Sequence, residues 1–388
     1  MNDPPKYIIE LLEKLSRAGY ESFLAGGCVR DLLRSKRPKD FDVATPAAPD
    51  EVKNVFRRVL DTGIRHGTVT VLFKGHPVEL TTFRTEGGYW DHRRPETVRF
   101  EADINLDLSR RDFTINAMAL DKNGRLLDPF DGQNDLTAGV IRAVGDARTR
   151  FREDALRMLR AFRFSAVLGF EIEEKTLDAI REFAPLVEYL SAERIREELT
   201  KMLLSERPDV IGRAAEYGLF EPYLPRHLPS LKGLSRLPKN SASRLAAFII
   251  AVQPEGAEVF AAALLEKLKF DLQTRRLVIG TLSVCAAYPA GDPAIKMAIY
   301  RHGAEAVLAA SAINGRRKPS AVRRILASGE CVGLDSLSVN GEDLIRLGIP
   351  VGRELGNLLK YLLYHVFEHP DENKKDILLN IVIKEPLV

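Results

Sequence analysis

The sequence predicts an α+β fold, in which an N-terminal head with a small mixed β-sheet and flanking helices is followed by regions that are entirely helical. Between residues 21 and 146, short runs such as ESFLAGG, FDVAT, TVTVLF and PVELTTF are typical of strands. From Phe151 onward, apolar residues recur at helical spacing and strand-like runs almost disappear. A chain of 388 residues is long enough for roughly two to four domains.

The head begins with a predicted helix, because residues 7–18 carry apolar side chains at helical spacing and Gly19 ends the pattern. The four strand-like runs follow, and a helix over residues 49–59 separates the second run from the third. Thr45 and the prolines after it mark the start of that helix. Strands and helices in this irregular order are typical of a small sheet in an α+β domain.

Three amphipathic helices are predicted next, in the segments FREDALRMLRAFRFSAVLG, EKTLDAIREFAPLV and SAERIREELTKMLLS. The remainder of the chain is also predicted to be helical. Breaks near residues 225–240, 288–294 and 315–320 contain Pro, Gly and Ser and are candidate boundaries. We therefore expect four regions, which span residues 1–145, 146–225, 226–315 and 316–388.

Composition and charge exclude several classes of protein. The formal net charge of +3 is too small to indicate nucleic-acid binding by itself, so any basic surface must be local. Cys28, Cys285 and Cys331 are far apart and predict neither a zinc site nor a disulfide framework. Unpaired thiols suit a reducing compartment, and the N-terminus lacks the pattern of a secretory leader. We expect a cytoplasmic protein without membrane segments, whose oligomeric state the sequence leaves open.

Asp40 and Asp42 flank Phe41 in the run DFDVAT. On a strand, both carboxylates would lie on one face, where like charges repel, and Phe41 would point into the core. A divalent cation would compensate the repulsion, whereas a solvated turn is the alternative interpretation. Glu79 in PVELTTF is either a third acidic group of the site or an exposed strand residue. Carboxylates in this arrangement suit phosphoryl chemistry assisted by two metal ions.

Two further motifs suggest contacts to phosphate. In LAGGCVRDLL, Gly26 and Gly27 lie between a strand and a helix, where the backbone can approach a ligand closely. Arg30 follows on the first helical turn and could contact a triphosphate, although tight packing also explains paired glycines. In SRRDFTINAMALD, Arg111 is either a phosphate contact or part of a structural ion pair with an acidic neighbour such as Asp112.

The segment FREDALRMLRAFRF places Asp154, Arg157, Arg160 and Arg163 three residues apart, which on one helix makes a polar stripe. A solvated face held by Asp–Arg pairs is one interpretation. The other is base recognition, because a carboxylate only accepts hydrogen bonds and a guanidinium only donates them. Cytosine and adenine each present an amino donor beside a ring-nitrogen acceptor, which Asp154 and Arg157 complement. Uracil and guanine present the opposite pattern, so this pair would admit CTP and ATP and reject UTP and GTP.

The motifs GGCVRD, DFDVAT, RRDFTINA, DPFDG, EDALR and AERIREEL, in this order, resemble the class II tRNA nucleotidyltransferases. That family comprises the CCA-adding enzymes and bacterial poly(A) polymerases of the DNA polymerase β-like superfamily. The resemblance is strong from about residue 20 to residue 225 and returns in LSVNGEDLIRLGIPVGRELGNLLKYLL near the C-terminus.

The resemblance implies a role for each candidate residue. It implies Asp40 and Asp42 as catalytic Mg²⁺ ligands, Gly27 and Arg30 at the triphosphate, Asp154 and Arg157 at the base, and Arg111, Arg160 and Arg163 in the rest of the nucleotide pocket. The four regions would be a nucleotidyltransferase head, a helical neck with the base-reading helix, a body and a tail. The helical regions would hold the acceptor stem and T-arm of tRNA, with CTP and ATP as substrates.

The segment TEGGYWDHRRPETVRF, residues 85–100, resembles the flexible loop that CCA-adding enzymes need for switching from C to A addition. Its presence, with Tyr89, Asp91, Arg93 and Arg94, argues against an enzyme that adds only C. Addition of A alone and poly(A) synthesis remain alternatives. An inactive RNA-binding module and a transferase acting on a small molecule are alternatives of a different class. The Asp40/Asp42 pair argues against the first of these. The large helical part and the Asp154/Arg157 pair argue against the second.

Overall fold

A computed structural model describes residues 2–89, 95–101, 103–315 and 319–384. The chain divides into two compact units, of which the first comprises Met1–Met202 and Asp209–Leu228 and the second comprises Leu203–Pro208 and Pro229–Val388. Asp91, Arg93 and Arg94 of the predicted switching loop lie outside the described residues.

The first unit contains a mixed sheet, which confirms the α+β prediction. Its strands are β1 (Phe23–Ala25), β2 (Asp42–Thr45), β3 (Val59–Gly63), β4 (Thr68–Phe73), β5 (His76–Thr82), β8 (Ala119–Leu120) and β9 (Leu126–Leu127). They lie in the order β3-β4-β5-β2-β1-β8-β9, and only β2 and β5 pair in parallel. Two smaller pairs are β6 (Arg84–Tyr89) with β7 (Pro95–Phe100) and β10 (Val140–Ile141) with β11 (Glu171–Ile172).

Both faces of the sheet are buried at the central strands β1 and β2, where successive side chains point to opposite faces. Leu24 and Val43 belong to one apolar cluster, together with Ile8 of the first helix. Phe23 and Ala44, their neighbours in the chain, belong to a second cluster on the other face. The short central strands β1 and β2 are thereby fixed in register, and so are the residues at their ends.

The helices of the first unit surround this sheet and continue beyond it. They are α1 (Lys6–Arg17), α2 (Gly27–Leu33), α3 (Pro49–Val55), α4 (Ile104–Ser109), α5 (Gly132–Ala138), α6 (Ala147–Glu153), α7 (Leu156–Leu168), α8 (Glu174–Phe183), α9 (Ala192–Leu203) and α10 (Val210–Glu216). The 3₁₀ helices along the whole chain are Ile64–His66, Thr114–Asn116, Ala184–Tyr189, Lys232–Arg236, Leu334–Ser336 and Pro370–Glu372.

Two predicted helices were wrong in extent. The helix predicted over residues 49–59 ends at Val55, because Phe56 is extended and buried and Val59 pairs with Val71 in the sheet. The segment FREDALRMLRAFRF forms two helices rather than one, since Asp154 between α6 and α7 is extended, with φ −141° and ψ 105°.

The second unit is helical throughout its described residues. Its helices are α11 (Ser241–Val252), α12 (Ala257–Lys267), α13 (Leu272–Ala286), α14 (Asp292–His302), α15 (Ala304–Ile313), α16 (Pro319–Ser328), α17 (Gly341–Arg346), α18 (Arg353–Glu368) and α19 (Lys375–Lys384). One apolar cluster joins α13 to α16, and another joins α17 to α19. Within the described part of the chain, no single helix is long and apolar enough to span a membrane, although α11 and α12 pass that test as a pair bent by 116°.

Candidate active site

A cavity of about 480 Å³ in the first unit gathers most of the predicted site residues. Of the nine candidates, eight line it: Gly27, Arg30, Asp42, Arg111, Asp154, Arg157, Arg160 and Arg163. Gly27 and Arg30 are on α2, Asp42 begins β2, and Arg111 precedes the Thr114–Asn116 turn. Asp154 lies two positions before α7, which carries Arg157, Arg160 and Arg163. A larger cavity of the first unit, about 800 Å³ near Tyr217, contains none of them.

Asp42 lies in this cavity at the first position of β2, whereas Asp40 precedes the strand in an exposed bend. The prediction that both aspartates belong to one strand was therefore wrong, because the chain becomes extended only at Asp42. Phe41 between them is 7% exposed and packs in the core, as predicted. Glu79 is exposed on β5 and is the direct pairing partner of Asp42.

The electrostatic surroundings of Asp42 favour a bound cation. The pKa of Asp42 is raised, chiefly by burial and next by the Glu79 carboxylate. Arg111 lowers this pKa, and Asp40 contributes a smaller increase. Carboxylate oxygens are the ligands that hard divalent cations prefer. A cation would relieve the repulsion that Glu79 and Asp40 exert on Asp42, so the donor set of Asp40 and Asp42 fits one. No group of three potential ligands among His, Cys, Asp and Glu occurs in the described residues.

The backbone at Gly26 favours glycine, and any larger side chain there would displace the end of Arg111. Its φ of +82° is a conformation that L-residues rarely adopt, and a Cβ there would lie 2.5 Å from Nη1 of Arg111. Next to it, Arg30 is held by Asp31, whose Oδ1 accepts from Nε and Nη2 at 3.0 and 2.9 Å. Arg30 Nη1 donates to Asn116 Oδ1 at 2.8 Å. The guanidinium of Arg30 is thus fixed at the wall of the cavity.

Arg111 forms an ion pair with an acidic neighbour, which was one of its two interpretations, and that neighbour is Asp107 and not Asp112. Its Nη2 lies 3.1 Å from Oδ2 of Asp107, and Arg110 contacts the other carboxylate oxygen at 2.5 Å. Asp107 is 1% exposed, and burial raises its pKa, but Arg111 and Arg110 outweigh burial and hold the pKa below the ordinary value. Asp107 is on α4, so the pair connects that helix to the cavity.

Asp154 is not part of the helix that carries the three arginines. Its carboxylate accepts the backbone N–H of Leu156 at 3.0 Å at the start of α7. Arg194 of α9 donates to both oxygens, at 3.1 and 2.8 Å. A bidentate pair of this kind fixes the plane of the carboxylate. It also leaves one acceptor position on Oδ2, because a carboxylate offers about four.

Arg157 is 8% exposed and is fixed by three hydrogen bonds. Nη1 donates to Glu153 Oε2 at 2.6 Å and to the carbonyl of Arg150 at 3.3 Å, and Nη2 donates to the carbonyl of Arg110 at 2.8 Å. A guanidinium has five N–H donors, so these contacts use three of them. Asp154 and Arg157 therefore face the same cavity with orientations set by other elements.

Arg160 and Arg163 have carboxylate partners from separate elements. Arg160 lies 2.5–2.6 Å from Asp112 Oδ2 through two nitrogens, and Nε of Arg163 lies 2.6 Å from Glu198 of α9. Both guanidiniums also lie over the ring of Phe164, at 5.4 and 3.8 Å from its centroid. The alternative interpretation, a solvated face held by Asp–Arg pairs within one helix, does not hold for this described segment. Each of its three arginines is paired with a carboxylate that lies outside α7.

Sequence reasoning missed Asp107, Asn116, Arg194 and Glu198, which hold the predicted residues in place. Arg194 and Glu198 belong to the motif AERIREEL, where their i, i+4 spacing puts them on one face of α9. That spacing was the available signal, but it does not reveal which residues of α7 and its preceding turn they contact.

Three family models match successive parts of the chain. Residues 22–142 match the poly A polymerase head domain, residues 169–231 match the RNA and SrmB-binding site of polymerase A, and residues 238–382 match tRNA nucleotidyltransferase domain 2. The cavity residues from Gly27 to Arg111 lie in the first match, and Asp154 to Arg163 lie between the first two.

Curated relatives match along nearly the whole chain. The CCA-adding enzyme of Limosilactobacillus fermentum is 39% identical over 95% of this chain and 94% of its own. The CCA-adding enzyme of Enterococcus faecalis is 39% identical over 97% and 95%. The crystal structure of the Bacillus stearothermophilus CCA-adding enzyme in complex with CTP superposes with a TM-score of 0.83, at 30% identity over 99% and 98%. On this evidence the chain belongs to the CCA-adding enzymes, a family of tRNA nucleotidyltransferases.

Proposed function

We propose that this chain adds C, C and A to the 3′ end of tRNA from CTP and ATP without a nucleic-acid template, and releases pyrophosphate at each step. The observation that carries the proposal is the single cavity that gathers eight of the nine predicted site residues. The 39% identity to a CCA-adding enzyme along 95% of the chain supports the same reaction. The CTP bound to the Bacillus stearothermophilus relative supports it too.

As a nucleotidyltransferase, the chain requires a divalent metal ion, and we propose Mg²⁺ held by Asp40 and Asp42. Bound there, Mg²⁺ would supply positive charge for the triphosphate and activate the attacking hydroxyl. The terminal ribose hydroxyl of the RNA attacks the α-phosphate, and pyrophosphate leaves. Gly27 and Arg30 bind the triphosphate at the start of α2, where the positive φ of Gly26 brings the backbone to the cavity.

Asp154 and Arg157 select the base in this proposal. The acceptor position left on Asp154 would take the amino group of cytosine or adenine, and the remaining donors of Arg157 would reach the adjacent ring nitrogen. UTP and GTP would place like groups opposite each other, which leaves buried polar groups unpaired. Arg111, Arg160 and Arg163 complete the pocket around the nucleotide.

The remaining predictions also stand as proposals. Residues 1–145 form the nucleotidyltransferase head and residues 146–225 the neck, whereas residues 226–315 and 316–388 form a body and a tail that hold the acceptor stem and T-arm of tRNA. A cytoplasmic location is supported by the chemistry of the three cysteines, which are free thiols.

The test uses three tRNA transcripts, which end before CCA, after C and after CC, each incubated with CTP, ATP, UTP or GTP separately. Full CCA addition predicts that CTP extends the first two transcripts and ATP extends the third. Asp42→Ala should abolish extension and retain tRNA binding, whereas Asp50→Ala, an exposed residue on α3, should behave as wild type. Inertness toward the first two transcripts would instead support addition of A alone, and a long A tail would support poly(A) synthesis.

A further inference from the structure

Asn116 lies at the wall of the cavity, where it ends the Thr114–Asn116 turn and is 6% exposed. Its Oδ1 accepts from Arg30 Nη1 at 2.8 Å, and its Nδ2 donates to Asp112 Oδ1 at 3.1 Å. Its main-chain carbonyl accepts from Arg111 Nη1 at 3.4 Å. Asn116 thus contacts two arginines of the cavity directly.

Through Asp112 the contacts extend to a third arginine. Oδ2 of Asp112 is paired with Arg160, so a continuous path of hydrogen bonds runs from Arg30 through Asn116 and Asp112 to Arg160. Arg30 is on α2 beside the glycines, and Arg160 is on α7 beside the base-reading residues. The path therefore joins the two ends of the proposed nucleotide site.

Only a side chain with one acceptor and one donor can complete this path. A guanidinium can only donate and a carboxylate can only accept, which fixes the orientation of the Asn116 amide. Aspartate at this position would put a second carboxylate 3.1 Å from Asp112. Alanine would leave a donor of Arg30 and an acceptor of Asp112 without their partner in a buried place.

We infer that Asn116 is a positioning residue, which sets Arg30 relative to Arg160 and thereby controls affinity for the triphosphate of the incoming nucleotide. This inference rests on the proposed function. Because CTP and ATP share the triphosphate, both nucleotides depend on Asn116 equally. Base selection does not depend on it, since Asp154 and Arg157 are oriented by Arg194 and Glu153.

Steady-state kinetics on the three transcripts test the inference in wild type, Asn116→Ala and Asn116→Asp. We expect KM for CTP and for ATP to rise by the same factor, at least about 10-fold, which is the scale of losing a hydrogen bond to a charged group. The change in kcat should be smaller, and rejection of UTP and GTP should be retained. A KM within twofold of wild type, or a rise for one nucleotide only, would overturn the inference.

Further measurements separate positioning from a general loss of structure. Asn105→Ala, an exposed asparagine at the start of α4, is the matched control and should leave KM unchanged. The Asn116 variants should bind CTP more weakly by equilibrium titration and bind CMP as wild type does, because CMP lacks the triphosphate. Equal weakening of both ligands would indicate a structural role and refute positioning.

A double-mutant cycle with Arg30→Ala closes the argument. If Asn116 acts through Arg30, Asn116→Ala should raise KM less than twofold in the Arg30→Ala background. An equal rise in KM in both backgrounds would contradict the path through Arg30. Failure of the wild-type chain to extend any transcript would refute the proposed function instead. The two failures are therefore distinguishable.

Discussion

Asp112→Asn removes the buried charge that holds Arg160 and tests the electrostatics of the cavity. Asp112 is 8% exposed and accepts from Arg160 at 2.6 Å, from Asn116 at 3.1 Å and from the backbone of Phe113 at 2.9 Å. Burial raises the pKa of Asp112, but Arg160, the hydrogen bond from Asn116 and the charge of Arg157 outweigh burial and lower the pKa to about 2.

The lowered pKa sets the size of the expected effect. A fall from the ordinary value of 3.8 to about 2 corresponds to about 2.5 kcal/mol of stabilisation at neutral pH. In a unit of about 220 residues, this is about 5–10 °C in melting temperature. Because the folded pKa is the lower one, the stabilisation is fully present above about pH 4 and is lost as the pH falls through 2. About half of it remains at pH 3.

Melting temperatures of wild type and Asp112→Asn, measured by circular dichroism from pH 7 to pH 3, provide the assay. The variant should melt about 5–10 °C lower at pH 7, and the difference should halve by pH 3. Asp178→Asn removes an aspartate paired with Arg181 on the exposed face of α8 and should change the melting temperature little. An unchanged melting temperature in Asp112→Asn at pH 7, or a difference independent of pH, would refute the reasoning.

Three other predictions follow from the contacts around the cavity. Arg194→Met frees the carboxylate of Asp154. We expect kcat/KM for CTP to fall by about 10-fold and the rejection of UTP to weaken. Unchanged selectivity between CTP and UTP would contradict the role of the Asp154–Arg194 pair. Gly26→Ala places a Cβ 2.5 Å from Nη1 of Arg111, at a residue with φ +82°. We expect weaker CTP binding in a titration and a fold destabilised by about 1–2 kcal/mol. Wild-type affinity for CTP would mean that Arg111 moves without effect. Cys28 is 3% exposed, and burial raises its pKa to about 11. Iodoacetamide at pH 8 should therefore label Cys28 only after denaturation, which mass spectrometry would show. Rapid labelling of Cys28 in the native protein would disprove its burial.

Local patterns predicted the sheet better than the ends of the helices. The strands β1, β2 and β4 lie within their predicted runs, and β5 begins one residue before its run. Apolar side chains of all four strands pack in one core cluster. The helical pattern of FREDALRMLRAFRF continues through Asp154 without a visible break. At the break, the carboxylate of the extended Asp154 accepts from the backbone N–H of Leu156 and from Arg194, forty residues away. The contact with so distant a residue leaves no trace in local periodicity.

The candidate site shows the same division. Residue types and spacing indicated which side chains gather at the cavity, since glycines, paired aspartates and regularly spaced arginines each suggest a chemical role. The specific partners of those side chains were not predictable, and the acidic neighbour that pairs with Arg111 is Asp107 and not Asp112. Neighbours in sequence compete with residues that the fold brings closer, and here Asp107 lies one helical turn away and Asp112 faces Arg160.

The charges around the cavity show how it can bind a nucleotide without a large net charge. The arginines that line it are Arg30, Arg110, Arg111, Arg157, Arg160, Arg163 and Arg194. Each of these seven arginines is paired with a carboxylate, and the paired acids are Asp31, Asp107, Asp112, Glu153, Asp154 and Glu198. With Asp42 added, the acids equal the arginines in number, so the formal charge of the set is zero.

This balance means that fixed directions, more than net attraction, must select the ligand. A paired guanidinium keeps some of its five donors for a ligand while its orientation is already determined. A triphosphate accompanied by a divalent cation arrives with part of its charge neutralised, so a strongly positive cavity is unnecessary. A protein surface that attracted phosphate by charge alone would bind any nucleotide and any RNA. Donors held in place by carboxylates from α4, α6 and α9 and by Asp112 can instead distinguish one base from another.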